Sequence, residues 1–177
     1  VRKAFENRKI HGITFLKVKS IEREKKGNTA LAVQYSSKVS GAGHVDSIRT
    51  EFSAETPVLL KAQDRKISDP LEYNLPKTTM QCMALEEILT EKVHAIYHRR
   101  KPRDLYDLSY LLDKRTPVNH GMIAEKLKPL NISLEIETFR ERTQMLGERW
   151  DYDLGKLFVK VPDFRKAQEK ALKGLFG

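Results

Sequence analysis

The sequence predicts an α+β protein: antiparallel strands followed by a helical bundle. Three observations carry this. Apolar and charged side chains alternate along much of residues 13–53. From about residue 83 the apolar period lengthens to that of a helix. The strand patterns also come first and the helical ones after them, which is the order of an α+β chain. Two regions are expected: a partial α+β region over 1–79 and a helical domain over 80–177.

The elements follow in order. Ile13, Phe15, Val18 and Ile21 alternate with polar neighbours, so residues 13–24 read as a strand. Lys26-Gly27-Asn28 is a turn signal. Residues 29–39 place Leu31, Val33 and Tyr35 on one face of a second strand, and Gly41-Ala42-Gly43 breaks it. Residues 45–53 give a third strand, and 57–61 and 65–68 suggest short further pieces. Short connections imply an antiparallel meander. Ahead of these, Arg2 to Ile10 reads as the end of a helix.

After Pro76 the period changes. Residues 83–99 repeat apolar side chains at Leu85, Ile88, Leu89, Ala95 and Ile96. Pro102 suits the first position of a new helix, and 103–114 continues it with Leu105, Leu108, Leu111 and Leu112. Further helices are expected over 119–128, 133–147 and 163–176, with a short one between Trp150 and Val159.

Composition narrows the class. The chain has 177 residues, 40% hydrophobic and 32% charged, a folded and slightly polar balance. No apolar run reaches the roughly 18 residues needed to span a bilayer. The opening Val1-Arg2-Lys3-Ala4-Phe5 has no apolar core segment, so no signal peptide and no membrane partner are expected, and the expected location is cytoplasmic. Cys82 is the single cysteine, which excludes a disulfide framework within the chain and a Cys-based zinc site. The net charge is +9, with most of the excess in residues 1–79. That suits a polyanion such as RNA, or a phosphate-bearing substrate, although many basic proteins bind no nucleic acid.

Some chemistry is absent from the sequence. No glycine-rich phosphate loop occurs. His94 and His98 share an i, i+4 spacing that zinc can use, but no glutamate follows His94, so no metal site is expected. Tyr106 and Tyr110 have the same spacing and read as packing residues.

Residues 85–112 are the most informative. The stripe 85, 88, 89, 92, 95, 96, 99 puts Lys92 and Arg99 on the apolar face and leaves Glu86, Glu87 and Glu91 to solvent. A buried ammonium is costly unless it meets an anion, though a long stem can also snorkel to water. On the next helix Asp104, Asp107, Leu108 and Leu111 occupy neighbouring positions. An acid at Asp104 suits capping and the helix dipole, whereas Asp107 lies a turn deeper. The corner Arg100-Lys101-Pro102 would bring Lys92 near Asp104 or Asp107. Two outcomes stand open: a structural salt bridge, or a cation and an acid lining a phosphate-handling cleft. Arg99, Arg100, Lys101 and Arg103 crowd the same corner. They suit phosphate contact, or simply a solvated turn.

These residues resemble a known family. Leu85-Glu86-Glu87-Ile88-Leu89-Thr90-Glu91-Lys92-Val93-His94-Ala95, then Arg99, then Lys101-Pro102-Arg103-Asp104-Leu105-Tyr106-Asp107-Leu108, is similar to the signature of the AbiEii-type nucleotidyltransferase toxins. Arg49-Thr50-Glu51-Phe52-Ser53 resembles the family's strand with an acidic residue, and the region from Trp150 to Phe164 resembles its helical tail. The resemblance implies a nucleotidyltransferase-fold domain joined to a helical domain. It also implies metal-dependent transfer of a nucleotide from an NTP to an acceptor such as tRNA or another RNA, and an antitoxin protein encoded alongside. By position, Glu51 matches the second-motif acid and Lys92 the lysine held to contact triphosphate. Asp104 and Asp107 match the fourth-motif acids, one a candidate base or supporting acid. Arg99 and Arg103 would assist phosphate binding.

One departure matters. The family's first motif is a Gly-Ser or Gly-Gly-Thr turn followed by paired aspartates that hold Mg²⁺. Gly41-Ala42-Gly43-His44-Val45-Asp46 has one acid and lies too close to the Glu51 strand to match it. The expectation is a chain that starts after this motif, or has lost it, holds no catalytic Mg²⁺ well and transfers nothing alone. The competing expectation is a non-catalytic basic module that contacts RNA or a protein partner through Arg99, Arg100, Lys101 and Arg103.

Overall fold

Alternation along residues 13–52 folds as strands. The computed structural model describes residues 7–10, 13–23, 29–37, 44–52, 57–67 and 78–177. Lys26-Gly27-Asn28, Gly41-Ala42-Gly43 and Pro76 lie outside the described residues. The chain divides into two compact units, Val1–Pro57 and Val58–Gly177.

The first unit holds a four-stranded antiparallel sheet in the order β1-β2-β3-β4: β1 Lys9–Ile10, β2 Ile13–Arg23, β3 Thr29–Ser37 and β4 Asp46–Phe52. This is the expected antiparallel meander. Residues 9–10 are strand, not the end of a helix, because Lys9 pairs with Thr14 and Ile10 with Ile13. β2 shifts register between Phe15 and Lys17. The extra residue, Leu16, lets Phe15 and Val18 face the same side although they are three apart. Val18, Leu31 and Val33 are buried there, with Phe15 packed against them. β4 pairs Ile48 with Val33 and Thr50 with Leu31. As the outermost strand it leaves Ile48 and Phe52 more than half exposed.

The second unit opens with a small hairpin. β5 (Gln63–Lys66) pairs antiparallel with β6 (Thr79–Cys82). The piece expected at 57–61 is irregular, and the strand lies just after it. β6 was invisible in the sequence because Thr79-Met80-Gln81-Cys82 carries no buried alternation. By compactness this hairpin groups with the helices, so the division falls earlier than the change of period near residue 79.

Helices follow: α1 Leu85–His98, α2 Pro102–Asp113, α3 His120–Leu127, α4 Ile136–Gln144, α5 Trp150–Leu154 and α6 Phe164–Phe176. Asn119 and Asp163 cap α3 and α6 through their side chains. α5 is shorter than expected and stops at Gly155, where a Cβ would lie 2.7 Å from the Asp151 carbonyl oxygen. Beyond it the Trp150 indole N–H donates to the Pro162 carbonyl at 2.7 Å, and Phe158 packs edge-on against Tyr106. The core joins Leu89, Val93 and Ile96 of α1 to Leu105 and Leu108 of α2, with Phe139, Trp150 and Leu175 from later helices. Among the described residues no helix is long and apolar enough to cross a membrane.

Candidate functional site

The α1–α2 corner is built from three residues. α1 ends at His98, and Arg100 takes a left-handed conformation (φ 50°) that turns the chain sharply. Pro102 then starts α2 at its first position, where its missing N–H is no loss. The two helices pack antiparallel-wise against one another, so side chains from the last two turns of α1 meet the first two of α2.

Four charged side chains converge there. The Lys92 ammonium donates to Asp107 Oδ2 at 2.5 Å and to Asp104 Oδ1 at 3.4 Å. Arg99 donates twice to Asp104, from Nε to Oδ2 at 2.9 Å and from Nη2 to Oδ1 at 2.6 Å. Asp104 has no exposed surface, and its carboxylate is tolerated only because this fork saturates it. No side chain caps α2, so Asp104 is an ion-pair partner and not a cap, though its place in the first turn still suits the helix dipole. Lys92 is 22% exposed and Asp107 39%. Two cations and two anions leave the cluster with no net formal charge.

The other predicted site residues are exposed. Arg103 is exposed on α2, and Arg100 and Lys101 are exposed at the corner. Glu51 belongs to the first unit, on β4, where it is largely exposed and accepts from Arg49 Nε at 2.9 Å. Tyr106 packs as expected, but Tyr110 is half exposed, with Lys114 over its ring. His94 and His98 stack, with ring centroids 5.6 Å apart. Burial holds the His94 imidazole below its usual range, against the pull of Glu91.

A second ion-pair cluster escaped the sequence reading. Glu87, expected in solvent, has no exposed surface. Its two carboxylate oxygens accept from the Leu59 and Leu60 amides at 2.7 and 2.8 Å, and Lys126 Nζ donates to Oε1 at 3.1 Å. Lys126, only 2% exposed, also donates to Glu91 at 2.6 Å. One signal was available: Lys126 falls on the stripe of Met122, Ile123 and Leu127, so α3 puts it inward.

Neither cluster forms a metal site. Among the described residues no group of three or more His, Cys, Asp or Glu side chains could hold a metal ion. The Asp104 oxygens are both engaged by Arg99, and Asp107 faces an ammonium. A divalent cation would have to displace these cations, so the described residues do not fit Mg²⁺.

Comparison with known proteins bears on this corner. The sequence matches the family described as "Nucleotidyl transferase AbiEii toxin, Type IV TA system" over residues 1–173. The chain belongs to this family. The AbiEii likeness carried by residues 85–108 thus extends along almost the whole chain. The family is one of nucleotidyltransferase toxins from type IV toxin–antitoxin systems. A similar fold is seen in the crystal structure of JHP933 from Helicobacter pylori, with a TM-score of 0.59 and 19% identity. The match covers 92% of this AbiEii chain but 63% of that one. No curated protein matches the sequence.

Proposed function

We propose that this AbiEii chain supplies the phosphate-handling part of a nucleotidyltransferase that moves a nucleotide from an NTP to an acceptor such as tRNA or another RNA. The observation that supports it is the convergence of Lys92, Arg99, Asp104 and Asp107 at one helix corner. In this reading Lys92 contacts the triphosphate, where a point charge stabilises the negative charge that develops during transfer. Arg99, braced by Asp104, and the exposed Arg103 assist phosphate binding. Asp107 is the candidate base and Asp104 the supporting acid. The acceptor hydroxyl oxygen attacks the α-phosphorus and the bond to the β-phosphate oxygen breaks. Pyrophosphate leaves, and the hydroxyl proton passes to the Asp107 carboxylate. Glu51 is assigned to the site by its motif position alone. No step runs through a metal at these residues.

The sequence contains no Gly-Ser or Gly-Gly-Thr turn followed by paired aspartates. We therefore propose that the chain transfers nothing by itself. The competing role, a basic module on RNA or a protein, draws on the exposed Arg100, Lys101 and Arg103. Incubation with α-labelled NTPs, Mg²⁺ and tRNA separates the two. The full-length gene product should label the RNA and this chain should not. Retention of RNA without labelling by either would favour the binding module.

A further inference from the structure

The four charges at the α1–α2 corner are not equivalent. Asp104 is sealed and its two oxygens are held by a two-pronged guanidinium. A buried pair of this kind is hard to open, because either partner would be stranded without water. Asp107 is 39% exposed, and among the described residues Lys92 is its one ion-pair partner. Lys92 sits closer to it than to Asp104, at 2.5 against 3.4 Å. A partly exposed pair is weaker than a sealed one, and water or a competing anion can reach it.

We infer that Asp107 is a latch on Lys92: it holds the ammonium in the nucleotide-free protein and yields it to an incoming polyphosphate, while Arg99 and Asp104 stay paired as a fixed frame. This rests on the reading of Lys92 as a phosphate-binding cation. With both acids engaged Lys92 has no unneutralised charge to offer, although the exposed Arg100, Lys101 and Arg103 at the same corner can draw an anion in. Moving the Asp107 carboxylate into water frees one cation without uncovering a buried acid. A triphosphate carries several negative charges and outcompetes one carboxylate for Lys92. Arg99 cannot be recruited as cheaply, since its release would strand Asp104. Triphosphate binding and release of Asp107 are then one event. The carboxylate proposed to take the acceptor proton becomes free only when the nucleotide is in place.

The test uses two readouts on Asp107→Asn, with Asp107→Ala as a second variant should the amide disturb folding. The first is acetylation of Lys92 by an amine-specific reagent, followed by mass spectrometry against the exposed Lys101. Lys92 should react at least about fivefold faster in both variants, since a weak restraint has gone. The second is binding of inorganic tripolyphosphate by calorimetry. Both variants should bind about tenfold tighter than the parent, and the bound anion should protect Lys92 from acetylation. An unchanged Lys92 acetylation rate in the variants overturns the latch, whatever happens to binding. Faster acetylation with no gain in tripolyphosphate affinity and no protection overturns the handover to phosphate, and with it the assignment of Lys92 to phosphate. Asp104→Asn should give no such gain in affinity.

Discussion

A carboxylate without exposed surface needs a donor at each oxygen, and Glu87 has one backbone amide on each and an ammonium besides. Burial pushes its carboxyl up, but the Leu59 and Leu60 amides and Lys126 outweigh this and hold it below the ordinary 4.5. Burial pulls Lys126 down, and the bonds to Glu91 and Glu87 reverse that and hold it above 10.5. The signs set the pH behaviour. A depressed acid contributes stability above pH 4.5 that is lost as pH falls through its folded value. A raised amine contributes stability below pH 10.5 that is lost as pH rises through its folded value. The Glu87–Lys126 contribution to the urea midpoint should therefore be full between these limits and drop at both ends, with the acid arm shallower in Glu87→Gln. His94, held below its ordinary 6.5 by partial burial, adds a loss that begins as pH falls below that value. Glu87→Ala leaves the Leu59 and Leu60 amides without their acceptor and Lys126 with Glu91 but not Glu87, and should cost about 3–5 kcal/mol in urea denaturation at pH 7. A loss near zero would mean that the cluster adds nothing to the fold.

At the scale of one helix, α1 shows what pattern reading captures and where it slips. Its existence and ends were legible, since residues 83–99 carry a helical period and the helix runs Leu85–His98. Its rotation was not. The inward face carries Leu89, Thr90, Val93, Ile96 and Tyr97, and Glu87 is buried at its edge, while Leu85 is 44% exposed. The period admits two neighbouring phases, and counting apolar residues favoured the one that kept glutamates in water. Lys126, on a helix more than thirty residues away in sequence, decides otherwise by pairing with Glu87 and Glu91. Leu89→Ala should therefore cost about 2–5 kcal/mol, as for a fully buried leucine, and Leu85→Ala less than about 1 kcal/mol. Equal losses would restore the first phase. α2 was read correctly, with Leu105 and Leu108 fully buried. There the apolar stripe contains no pair that a distant residue could reorient. The β5–β6 hairpin was legible only in part, because its strands are mostly exposed and carry no alternation.

At the scale of the whole molecule, the chain joins a four-stranded sheet to a helical unit and belongs to the AbiEii nucleotidyltransferase toxin family. The charged corner was legible because opposite charges occurred where apolar residues were due, on helices linked by a tight turn. Lys92 does meet Asp104 and Asp107. What the spacing could not tell was how the acids divide, since burial of Asp104 and partial exposure of Asp107 depend on packing. The two meanings of that corner, a lock between helices or a phosphate site, differ in one measurable consequence. In the double variant Lys92→Met, Asp107→Leu the pair is replaced by apolar side chains of similar size, which should leave stability nearly unchanged. The most direct measurement is nucleotide transfer by the full-length gene product carrying this double substitution. The account predicts a kcat/KM at least about a thousandfold below that of the parent, with an unaltered urea midpoint. Transfer at the parental rate in the folded double variant would contradict it, and would leave the corner as a salt bridge between two helices.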